Sequence, residues 1–247
     1  MKTVAALVFA VIALLAPVHT ANAGWLDWIN PPPATSNATS LSPVAALTER
    51  EVERGLKEAL SKGVGHAVSE LGRDGGFLKN LDVKIPMPEQ LRSVEKALRL
   101  VGQDKMADEF VTTLNHAAEQ AVPAAAGIFA GAITNMTVTD VKGILRGPHD
   151  AATEYFRKTC SSQLTEKMLP IVKTATAKVG VTGTYKQLMQ NAGPAAQFLG
   201  GDVDLDSYVT HKSLDGLFKM IAAEEKRIRE NPVARTTDLL KKVFGSR

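Results

Sequence analysis

The sequence predicts an all-α protein, a multi-helix bundle of roughly eight to ten helices with a short extended segment near residues 81–88. Three observations predict it. Apolar residues recur three or four apart through most of the chain beyond Val44, the spacing that lays one helix face on a core. Strand-like alternation is almost absent, and aromatic residues make up only 5% of the chain. No fixed-period repeat points to a solenoid.

The chain opens with Met1-Lys2, an apolar stretch from Val4 to Leu15, Pro17, and Ala21-Asn22-Ala23 before Gly24. A basic start, an apolar middle and small residues ahead of the cut predict a cleaved signal peptide over residues 1–23. The apolar stretch is too short to cross a bilayer, which takes about 20 apolar residues, and no later segment is long and apolar enough. Gly24 rather than a cysteine stands directly after Ala23, so the expected protein is periplasmic and not lipid-anchored. Residues 24–43, rich in proline, serine and threonine, read as a flexible linker extended at Pro31-Pro32-Pro33. Trp25 and Trp28 within it are too few to anchor the chain to a membrane on their own.

Residues 44–247 are expected to form one helical domain. Val52, Leu56, Ala59, Leu60, Val64, Ala67, Val68 and Leu71 mark an amphipathic helix that ends at Gly72. Arg73-Asp74-Gly75-Gly76 is a glycine-rich turn, and the prolines after it bias residues 81–88 towards extended backbone. A helix from Glu89 ends at Gly102, and the next runs to Pro123. The alanine-rich, nearly uncharged stretch 123–136 is expected to be buried on most sides, at the centre of the bundle. Thr139 is positioned to cap a short helix through Leu145, and Asp150 a long one that Pro170 bends or splits. Shorter helices are expected at 182–191 and 204–210. A long one carrying Leu214, Leu217, Phe218, Ile221 and Ile228 follows, then a last one carrying Leu239, Leu240, Val243 and Phe244.

Removing 23 of the 247 residues leaves 224, within reach of a single core, with 28 basic against 26 acidic side chains. So balanced a charge argues against nucleic acid as a partner. Cys160 is the single cysteine, so no internal disulfide is available in an oxidising compartment. It recurs with Phe156, Leu164, Met168, Val172 and Ala175 on one helix face, which predicts burial.

Most candidate sites are incomplete. Asp202, Asp204 and Asp206 resemble the opening of a calcium loop, but Ser207 and Ser213 stand where its glycine and closing glutamate belong, and an acidic helix cap explains them better. Ser93-Val94-Glu95-Lys96 matches the S-x-x-K element of penicillin-recognising enzymes without their other elements. His66, His116, His149 and His211 have no histidine or cysteine partner at ligand spacing, so no metal site and no cofactor is expected. The least easily dismissed group is His149, Asp150, Glu154, Tyr155 and Arg157 around a helix start, where acid-base work competes with plain capping. Near the C-terminus a basic, amphipathic surface including Arg235 offers itself to a partner protein or anionic lipid, against a salt-bridged solvated helix pair.

GLKEAL at 55–60, DGGFLKN at 74–80, KIPMPEQL at 84–91, DAATEYFR at 150–157 and, most specifically, residues 214–245 together resemble a family of bacterial exported proteins classed as a domain of unknown function, family four-one-nine-seven. The resemblance implies a helical envelope protein over the whole domain and brings no catalytic residues. Some members look lipid-anchored, a feature for which this chain lacks the cysteine. Asp74, His149, Asp150, Glu154, Tyr155, Arg157 and Arg235 are the candidate binding residues. The expected function is a non-enzymatic binding or scaffold module of the envelope, with an envelope protein or lipid as partner. The alternatives are an enzyme built on His149, Asp150, Glu154 and Tyr155, and a lipid-binding module using residues 123–136. A deep polar pocket at Asp150 favours catalysis, a long apolar cavity favours lipid, and a closed core with an apolar surface patch favours a partner protein.

Overall fold

The first helix starts at Thr48 because two side chains satisfy each other's backbone amides. The Thr48 hydroxyl accepts the Glu51 N–H at 3.3 Å and the Glu51 carboxylate accepts the Thr48 N–H at 2.9 Å. The computed structural model describes residues 48–178, 182, 183, 185 and 203–231, all within the compact unit Ala46–Arg247. From that cap α1 runs Glu49–Gly72 and buries Leu56, Ala59, Leu60, Val64, Ala67 and Leu71.

Two glycines then fold the chain back. Gly75 has φ +76°, a conformation that side chains disfavour, and a Cβ on Gly76 would collide with the Glu70 and Leu71 carbonyls. The turn leads into an extended stretch at 84–88, as the prolines predict, with Phe77 and Ile85 fully buried. A 3-10 turn at Glu89–Leu91 opens α2, Arg92–Leu100, which Gly102 terminates at φ +76°. Helix α3 spans Asp104–Ala121 and passes through a 3-10 turn, Val122–Ala124, into α4, Ala125–Thr134. Helix α5, Val138–Arg146, makes an angle of 104° with that rod. Helices α6, Ala151–Lys178, and α7, Leu205–Glu230, are the longest of the described residues and pack extensively on each other.

The core lies where α6 and α7 meet α1, α3 and α4. Phe129 of α4 sits edge-on to Phe156 of α6 at 5.2 Å between ring centres and to Phe218 of α7 at 6.2 Å. Each of these rings is 0–1% exposed, so three helices share one aromatic contact. The predicted stripe of α6 is buried from Phe156 to Ala175, and Cys160 is 1% exposed within it. Burial pushes the Cys160 thiol above its ordinary value, against a smaller opposing pull from the Thr159 hydroxyl.

The protein is all-helical among the described residues, with no strand. Counting Asp104–Thr134 as one rod, those residues hold six helices, fewer than the eight to ten expected. The expected breaks at Pro170 and after residue 210 do not divide a helix, whereas the end of α3 expected at Pro123 falls within two residues of that proline. Pro170 is exposed and lies inside an unbroken α6, where the carbonyl it leaves unpaired is on the solvent side. The 204–210 segment is the first part of α7, capped by Asp204, whose carboxylate accepts the Asp206 and Ser207 amides. Pro123 sits in the first turn of a new segment, where its missing N–H costs no bond. The cap of α5 is Thr137, in a reciprocal pair with Asp140, rather than Thr139. Most of the helix expected at 182–191 and the last C-terminal helix lie outside the described residues, as do the signal peptide, the linker with Trp25 and Trp28, and Asp202.

The alanine-rich segment is not the centre. Helix α4 buries Ala125, Phe129 and Ile133 and exposes Ala126, Gly127, Ala130 and Gly131. Small apolar residues tolerate water, so a lack of charge signals burial less strongly than a periodic stripe of large side chains. No single helix among the described residues is long and apolar enough to cross a membrane.

Candidate functional site

The glycine turn is held to α3 by a buried carboxylate. Glu119, 4% exposed, accepts the Phe77 and Leu78 amides through Oε1 at 2.9 and 3.1 Å. Its Oε2 lies 2.8 Å from His116 Nδ1, one helical turn away on α3. Asp74, 85% exposed at the head of the turn, brings Oδ1 to 3.6 Å from the same ring nitrogen. One donor atom from each of Asp74, His116 and Glu119 therefore lies within 4.8 Å of the others. One turn earlier on α3, Asn115 pairs with the extended segment. Its Oδ1 accepts the Ile85 N–H and its Nδ2 donates to the Ile85 carbonyl, each at 2.8 Å, as a neighbouring strand would.

These pairings hold one wall of an open cleft of about 570 Å³ between the extended segment, α2 and α3. Leu78, Leu81, Lys84 and Met87 line one side, and Arg92 and Val111 another. Arg99 at its edge reaches Glu95 at 3.0 Å, Asp108 at 2.8 Å and Asp104 at 3.4 Å, a cluster that holds its guanidinium protonated. Helix α2 buries none of its own residues. Leu81, Leu100 and Val101 are 91%, 88% and 71% exposed.

The polar group at the start of α6 is spread out rather than gathered. His149 and Asp150 are exposed in the turn ahead of the helix. Glu154 pairs with Arg157 at 3.2 Å, and the Arg157 guanidinium lies 4.5 Å over the Phe218 ring. Tyr155 donates its hydroxyl to the Ala132 carbonyl at 3.4 Å, and burial raises its pKa. It lines a second open groove, about 470 Å³, with Gly127, Gly131 and Thr159 between α4 and α6.

The helix start is served from elsewhere in the sequence. Glu225 of α7, buried, accepts the Ala152 and Thr153 amides at 3.0 Å each and the Thr153 hydroxyl at 2.9 Å. Arg229 braces Glu225 at 2.8 Å and also donates to the Ile144 carbonyl at 3.0 Å. Asp150, expected as the cap, instead contributes its backbone carbonyl to the Glu154 amide. Glu224 bridges Arg227 and lies 3.5 Å from His66 Nε2. Arg235 lies outside the described residues.

Sequence reading missed Asn115, His116, Glu119 and Glu225. The available signal was polar side chains at apolar-periodic positions of α3 and α7, which demand buried partners. The backbone amides that Asn115, Glu119 and Glu225 accept are 30 to 73 residues away, so spacing alone does not reveal them. A family model described as a protein of unknown function (DUF4197) matches residues 46–245. No curated protein and no solved structure matches the chain.

Proposed function

Because the chain belongs to the DUF4197 family of proteins of unknown function, its role has to be read from its own surface, and we propose a non-enzymatic binding or scaffold module. In this reading the protein is exported through its signal-like N-terminus, stays unlipidated in the periplasm, and engages another envelope protein through the α2 flank. One observation carries the proposal. Six large hydrophobic side chains are exposed among the described residues. Five of them, Leu81, Val94, Leu100, Val101 and Met106, lie in the turn ahead of the extended segment, on or just after α2, and at the start of α3, and only Val138 lies elsewhere.

Such a concentration supports an apolar contact, because exposed side chains of this size gain roughly 1.5–3 kcal/mol each when a partner covers them fully. The rim suits a protein partner. Lys84, Arg92 and the Arg99 carboxylate cluster surround apolar positions with groups able to form directional hydrogen bonds. The dispersal of His149, Asp150, Glu154 and Tyr155 gives the enzyme alternative less support, and the groove beside α4 is open rather than a long enclosed tunnel for an acyl chain.

A photo-crosslinking residue placed at Leu100 in living cells, with Lys158 on α6 as control, tests the proposal. The expected result is a discrete protein adduct at position 100 that is absent at 158 and is lost when Val101→Asp is added. Lipid adducts alone, or equal adducts at both positions, overturn it. So does the absence of any partner together with a turnover that disappears in Asp150→Ala.

A further inference from the structure

We propose that Asp74, His116 and Glu119 bind a divalent transition-metal ion, through one imidazole nitrogen and two carboxylate oxygens. This site is separate from the α2 surface and stands whether or not that surface binds a protein. The donor spacing suits an ion. Ligands at 2.0–2.2 Å from a metal, at tetrahedral or octahedral angles, lie about 3.0–3.5 Å from one another. His116 Nδ1 stands 2.8 Å from Glu119 Oε2 and 3.6 Å from Asp74 Oδ1, and all three donor atoms lie within 4.8 Å of one another, so rotation of the exposed Asp74 side chain onto the ion completes the set.

The innermost ligand is preorganised. Glu119 has one oxygen held by the Phe77 and Leu78 amides, which leaves Oε2 fixed in place with no backbone partner. A buried carboxylate is costly unless its charge is compensated, and a divalent cation at Oε2 supplies more compensation than a single imidazole N–H does. His116 and Glu119 share a face of α3, and the Gly75-Gly76 turn, whose shape depends on both glycines, brings in Asp74 from 42 residues upstream of His116. Coordination through Nδ1 requires the imidazole proton to sit on Nε2, the tautomer in which Nδ1 presents its lone pair.

The donor set selects a class of ion. An imidazole nitrogen favours zinc and its transition-metal neighbours, whereas calcium and magnesium prefer all-oxygen shells. Three protein ligands, with Asp74 and His116 open to solvent, leave positions for water, as in sites that are not purely structural.

Calorimetric titration of the tag-free protein with Zn2+ provides the test. We expect one ion per chain, binding tighter than Ca2+ or Mg2+, and a rise in Tm on loading. His116→Ala and Asp74→Ala should each weaken Zn2+ binding by at least about tenfold. His66→Ala, at the other histidine–carboxylate pair, should leave it unchanged. Asp74 makes no contribution to the clamp on the Phe77 and Leu78 amides, so its variant keeps the test valid if His116→Ala is unstable. No Zn2+ binding by the wild type, wild-type affinity in Asp74→Ala, or a preference for Ca2+ overturns the assignment.

Discussion

Asn115 shows how much one polar side chain inside an apolar surface can hold. Its amide takes both the N–H and the C=O of Ile85, groups that would otherwise be buried without partners. Replacing Asn115 with Leu, which shares its branched heavy-atom skeleton but has no polar atom, leaves both unsatisfied at about 1–3 kcal/mol each. We expect Asn115→Leu to lower unfolding stability in urea by about 2–5 kcal/mol, with the helical circular dichroism of the folded protein retained. Cys160 is the opposite case. Its place in the Phe156-to-Ala175 stripe follows from helical spacing alone, and the structure buries it there. Spacing along one helix is local information, whereas the partner of Asn115 arrives 30 residues earlier in the chain by way of a turn.

Among the elements, α6 illustrates why caps are harder to assign than helices. A helix start needs acceptors for its first amides, and Asp150 stands at the right distance in sequence. The acceptor used is Glu225, which reaches those amides from α7 while Arg229 balances its charge. The pair is almost out of solvent, with side chains 10% and 6% exposed for Arg229 and Glu225. Glu225→Ala removes the side-chain acceptor of both amides and one partner of the Arg229 guanidinium, and breaking such a pair costs about 3–5 kcal/mol. Urea denaturation should show that loss, while Asp150→Ala should change stability by less than about 1 kcal/mol. Helix α4 carries a similar lesson about composition. Its alanines and glycines were expected at the centre, yet the large side chains of α6 and α7 occupy that place, because volume rather than lack of charge fills a core.

At the scale of the molecule, every long helix contributes to one core cluster, from Leu56 on α1 to Ile228 on α7. A shared core unfolds together, so a probe placed within it should report the same transition as the helices around it. Pulsed labelling of Cys160 and circular dichroism at increasing urea should therefore give one midpoint. A thiol that reacts well before the helices melt would mean that α6 opens on its own. Burial holds the folded-state thiol in its unreactive neutral form, which keeps the background of that measurement low.

The sequence by itself determined the helical class, the ends of α1 and α2 at Gly72 and Gly102, the bend at Gly75-Gly76, the extended run before Glu89, and the buried face of α6. All of these follow from residues close together in the chain, through backbone preference and the periodicity of one element. Only the tertiary structure decided which helix lies at the centre, which carboxylate caps α6, and that Asp74 meets His116 and Glu119. Those outcomes depend on how helices distant in sequence share a limited interior, where each buried polar group must find whichever partner packing brings within reach.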